Sequence, residues 1–136
     1  MNIVLATNKQ DPLLELRNCE KFHDGSGFKT EVFVRSGGFA LETTFYFESF
    51  PLKQCIENIS EKAETLKGSA LLKPMWEDDL IKFEMLGLGH LAVTGEFTQY
   101  SPYEQKLKFG FETDQTAILP LRDDFRILHQ NGKADW

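Results

Sequence analysis

Two kinds of hydrophobic periodicity, one interrupting the other, predict an α+β fold for this chain. Apolar residues alternate with polar ones over most of its length, which is the period of a half-buried strand, and the period shifts to that of a helix over residues 50–67. Twelve Phe, two Trp and three Tyr within 136 residues supply material for one core, and a chain of this length buries enough surface to need no staples. The expectation is a single domain over residues 1–136: a curved antiparallel sheet or sandwich of six to seven strands. One long helix (about 50–67) packs on it, and a short C-terminal helix follows.

Taken in order, Leu13 to Arg17 begins an alternating stretch, and His23-Asp24-Gly25-Ser26-Gly27 marks a loop. Phe28, Thr30, Val32 and Val34 then share one face, and Phe39, Leu41, Thr43, Phe45 and Phe47 share another. Between the two runs lies Ser36-Gly37-Gly38, whose glycines accept positive φ, so the pair reads as a β-hairpin. Leu52, Ile56, Ile59, Ala63 and Leu66 follow at spacings of four, three, four and three, an apolar stripe opposite Lys53, Glu57, Glu61 and Glu64. Ser49 is the expected N-cap, Pro51 suits a first turn, and Lys67-Gly68 is the stop.

Alternation resumes at Ser69–Lys73, ended by Pro74, and continues in Leu80–Met85. Gly87-Leu88-Gly89 turns the chain into Leu91, Val93 and Phe97, and Tyr100-Ser101-Pro102-Tyr103 turns it again into Leu107, Phe109 and Phe111. Ile118, Leu121, Phe125 and Leu128 have helical spacing, and Pro120 confines the short helix to about 120–129, leaving Asn131–Trp136 as a frayed tail. No internal repeat is visible.

The net charge is −6. Residues 1–68 carry 8 basic and 10 acidic side chains and residues 69–136 carry 7 and 11, so neither half offers the basic footprint of a nucleic-acid binder. An acidic surface favours a basic protein partner. The N-terminal residues lack a basic segment before an apolar run, and no stretch has the length of a membrane span. With Cys19 and Cys55 as the only cysteines, the simplest expectation is a cytoplasmic protein with reduced thiols.

The chemistry-bearing residues form no catalytic signature. His23, His90 and His129 have no metal-ligand spacing, and each reads first as a structural or surface residue, with His90 placed after a turn where a sheet rim can present it. Cys55 lies beside the apolar stripe and reads as core. Gly87-Leu88-Gly89 sits between strands and lacks the third glycine of a dinucleotide loop, so no cofactor is expected. Glu77-Asp78-Asp79 and Asp123-Asp124 read as turn formers and helix-dipole partners before they read as paired carboxylates. Trp76 next to the first cluster can act as an aromatic anchor inside an acidic rim. Trp76, Glu77, Asp78, Asp79 and His90 are therefore the candidate partner-binding residues, with no catalytic and no metal site expected.

The order of segments carries a resemblance. Leu66-Lys67-Gly68-Ser69-Ala70-Leu71-Leu72 directly after the helix, Leu80-Ile81-Lys82-Phe83, Gly89-His90-Leu91-Ala92-Val93-Thr94-Gly95, Leu107-Lys108-Phe109-Gly110-Phe111 and Thr113-Asp114-Gln115-Thr116 together resemble the WapI-type immunity family of bacterial polymorphic-toxin systems. The resemblance covers roughly residues 28–128. It implies a non-enzymatic protein that binds a cognate toxin, often a nuclease, and blocks it. A β-rich domain enclosing a small ligand among its phenylalanines is the alternative.

Overall fold

The computed structural model describes residues 1–7 and 11–134. It contains two four-stranded antiparallel sheets and two helices. The first sheet has β1 (Ile3–Val4), β2 (Leu13–Lys21), β3 (Gly27–Ser36) and β4 (Phe39–Glu48) in chain order, and is followed by α1 (Ser49–Thr65). The second has β5 (Gly68–Leu72), β6 (Leu80–Gly87), β7 (His90–Gln99) and β8 (Gln105–Asp114), also in chain order. A 3₁₀ turn at Gln115–Ala117 then leads into α2 (Ile118–Ala134).

The fold is therefore four strands and a helix, twice over, although the sequence shows no repeat. The repetition lies in the order of elements, which binary patterning dictates, and residue identities are free to diverge beneath it. The halves differ locally: β1 has two residues where β5 has five, and β2 shifts register between Arg17 and Glu20 where Asn18 takes φ 53.

The hairpin around Gly37-Gly38 pairs as the alternation requires, Ser36 opposite Phe39 and Phe28 opposite Phe47. Phe28, Thr30, Val32, Val34, Phe45 and Phe47 all point into the core. Thr30 is the polar member of that face, and its hydroxyl donates to the Arg17 carbonyl (2.8 Å) while accepting from the Cys19 thiol (3.3 Å), so its burial leaves nothing unpaired. The sheets meet through Phe45 and Phe97, whose rings lie edge to face at 5.3 Å and 87°.

Helix α1 buries Leu52, Cys55, Ile56 and Ile59, as its stripe requires, with Ala63 half-buried. It packs on β5 and on α2, where Arg122 and Arg126 donate to Ser60 Oγ (3.4 and 3.2 Å). Its boundaries correct the expectation at both ends. Ser49 is the first helical residue, its hydroxyl donates to the Gly25 carbonyl, and Glu48 takes the capping position without a side-chain cap. Leu66 lies beyond the helix in the left-handed region (φ 59) and is exposed, which reverses the chain into β5. Gly68 is required there: at φ +108 it also places its Hα side against Lys62, whose Cδ would lie 2.7 Å from a Cβ.

The second helix is as long as the first, not short. Pro120 is its third residue, where no backbone N–H is needed, so the helix starts before it and runs through residues 131–134, expected to fray. Ile118, Leu121, Phe125 and Leu128 are buried as the spacing predicts, and Phe125 meets Phe83 of β6 at 6.3 Å. The expected tail residues 135–136 lie outside the described residues.

Candidate binding surface

The segment between β5 and β6 carries the first part of the site. Three contacts strap it down: Lys73 Nζ donates to the Glu77 carbonyl (2.7 Å), the Met75 N–H donates to Glu48 Oε1 (3.0 Å), and the Thr98 N–H donates to Asp79 Oδ1 (2.9 Å). Pro74 is buried, and the result is that Trp76 stands 85% exposed with Met75 beside it at 51%. The loop is held at both ends and presents the indole from a fixed backbone.

The β7–β8 connection contributes the second part. Gln99 pairs with Gln105, so residues 100–104 project from the same end of the second sheet as the strapped segment, with Tyr100 and Tyr103 exposed. The link between the loops is electrostatic. Lys106 is held above the ordinary lysine range first by its hydrogen bond to Glu96 and then by the Glu96 charge, with smaller contributions from Asp78 and Glu104. Four exposed large side chains (Met75, Trp76, Tyr100, Tyr103) thus share one end with the carboxylates of Glu77, Asp78 and Glu104.

The structure divides the sequence-expected site. Trp76, Glu77 and Asp78 stay together on this surface. Asp79 serves inside it as a half-buried cap on β7. His90 lies at the other end of β7, eight residues from Thr98, or roughly 26 Å at strand rise. There it is exposed and pairs in register with Asp114, beside Glu112 and Leu88 around a hollow of about 470 Å³. Asp114 lies below the ordinary aspartate range because the Thr116 N–H (2.8 Å) and hydroxyl hold its charged form, with His90 adding a smaller electrostatic effect. Tyr100, Tyr103, Met75 and Glu104 were legible only as a turn and its neighbours, since nothing in the sequence joins two loops 25 residues apart.

The remaining candidates settle into structural roles. Burial pushes the Cys55 thiol up to about 12 and raises that of Cys19. Asp123 accepts from Arg122 (3.0 Å) on the surface of α2. Among the described residues, no group of three His, Cys, Asp or Glu side chains is arranged to hold a metal ion, and no helix is long and apolar enough to cross a membrane. The apolar space expected of a ligand binder is an open groove of about 290 Å³ between β4 and β8, lined chiefly by Phe39, Leu41, Leu107 and Phe109.

Fold and surface together define a two-sheet, two-helix α+β domain with an acidic, aromatic end. No family model and no curated protein matches the chain. Among solved structures it is similar to a chain described under "Crystal structures of trypanosoma bruciei MRP1/MRP2", with a TM-score of 0.54 over 96% of this chain and 84% of that one. At 10% identity that likeness concerns the fold.

Proposed function

We infer that this chain is a non-catalytic protein-binding domain of the immunity type, which docks a basic toxin, a nuclease being the leading class, and occludes it in the cytoplasm. The observation that carries this reading is the strapped, exposed Trp76, at the end of the second sheet that also carries exposed Tyr100 and Tyr103 and the carboxylates of Glu77, Asp78 and Glu104. Exposed aromatics over a fixed backbone are the side chains that supply most binding energy, and the surrounding acids steer a basic partner and set its orientation. The WapI-type segment order points the same way.

The test is titration calorimetry with the product of the adjacent toxin-like gene. Nanomolar affinity that falls as salt rises is expected, because rim charges are screened beyond about 10 Å at 0.1 M. Trp76→Ala should weaken binding about 30-fold or more while leaving thermal stability unchanged, since the side chain is bare in the free protein. If no neighbouring gene product binds, or if Trp76→Ala binds as tightly as the wild type, the reading fails.

A further inference from the structure

Strand β8 is an edge strand that buries none of its ten residues, and its sequence is self-complementary about Gly110. Reading Gln105 to Asp114 against a second copy running the other way places Lys106 opposite Asp114, Lys108 opposite Glu112, Phe109 opposite Phe111 and Gly110 opposite itself. Shifting the centre to Phe109 or Phe111 leaves one lysine–carboxylate pair per strand where the Gly110 centre gives two.

The backbone is set for this pairing. Gln115 N–H donates to the Gly89 carbonyl (2.8 Å), extending the β7–β8 ladder through odd-numbered residues of β8. Alternation then turns the N–H and C=O groups of Lys106, Lys108, Gly110 and Glu112 away from β7. The Gly110 carbonyl fits that direction: it accepts from Ser36 Oγ (3.2 Å), a contact that leaves its second lone pair.

The side chains divide by face. Leu107, Phe109 and Phe111 lie on the inner face, each half-exposed or exposed, and Phe39 stands 79% exposed across the groove. The charges lie on the outer face. Lys108 is 72% exposed with its nearest carboxylate, Glu96, at 4.0 Å, whereas Lys106 already bonds Glu96 at 2.6 Å.

We propose that this edge is a homodimer interface: β8 pairs antiparallel with β8 of a second copy about a two-fold axis through Gly110. The two second sheets join into one sheet of eight strands. Phe109 and Phe111 cover each other across the axis, Leu107 lies opposite Thr113, and cross-strand lysine–carboxylate pairs fix the register.

The experiment is sedimentation of the full chain at low salt. The expected species has twice the 15.6 kDa of one chain and dissociates as salt rises. Lys108→Glu and Glu112→Lys should each weaken self-association about tenfold or more, since each sets like charges opposite one another. Mixing the two variants restores every pair and should restore the dimer, now as a heterodimer. Both positions are exposed, so circular dichroism should show both variants folded. A monomer at all concentrations up to about 1 mM, an affinity too weak for specific recognition, overturns the proposal. So does a dimer that both single variants leave intact, or one that mixing does not restore.

Discussion

Replacing Gly95 with alanine asks whether the aromatic stack along β8 is held in place by an absent side chain. Gly95 is buried on β7 opposite Phe109, and a Cβ built there overlaps that ring and lies 3.0 Å from the Leu80 carbonyl oxygen. Phe109 lies parallel to Phe97 (6.3 Å, 6°) and stacks on Phe111 (6.3 Å, 23°), so moving it disturbs two ring pairs. Forcing a methyl into such a site costs about 1–3 kcal/mol. Because Gly95 needs no left-handed backbone, alanine recovers about 0.4–1 kcal/mol by restricting the unfolded chain. The net expectation is a loss of about 1–2 kcal/mol.

The assay is urea unfolding of the wild type, Gly95→Ala, Phe109→Ala and the double variant. In the Phe109→Ala background the ring is gone and only the Leu80 contact remains, so Gly95→Ala should become nearly neutral. The coupling energy is then about 1–2 kcal/mol. Equal costs for Gly95→Ala in both backgrounds, or no cost in either, would refute the account.

Two further predictions concern local chemistry. Leu88 is 99% exposed at φ 53 and forms a two-residue turn with Gly89 at φ 81, a geometry that favours Asn, so Leu88→Asn should stabilise the fold by about 0.5–1 kcal/mol in the same unfolding assay. Asp114 is held below its ordinary value near 3.8 chiefly by Thr116, so its stabilising effect is complete above that value and is lost as pH falls through the folded value. Below about pH 4 the urea midpoint of the wild type should fall more steeply than that of Asp114→Asn, which caps without titrating; parallel profiles would contradict the assignment.

What the sequence determined by itself was the local part of this protein. The face on which Phe28, Val32, Phe45 and Phe47 meet, the stripe of α1 through Leu52, Ile56 and Ile59, and the buried spacing of Ile118, Leu121, Phe125 and Leu128 follow from periods of two and 3.6, which each residue shares with near neighbours. Helix ends were less legible, because Leu66 and Ser49 obey the packing of the next element as well as local propensity. The two-residue strand β1 is too short to show any period.

Tertiary structure decided everything that joins distant segments. It separated the strands into two sheets and repeated one topology on unlike residues. It put Tyr103 and Trp76 at one end of the second sheet and carried His90 away from Asp79, although His90 is the end of β7 nearer to Asp79 in sequence. Alternation says which face of a strand a residue occupies and is silent about which end of which sheet it reaches. The acidic, aromatic surface could therefore be named in part, by Trp76, Glu77 and Asp78, but not assembled.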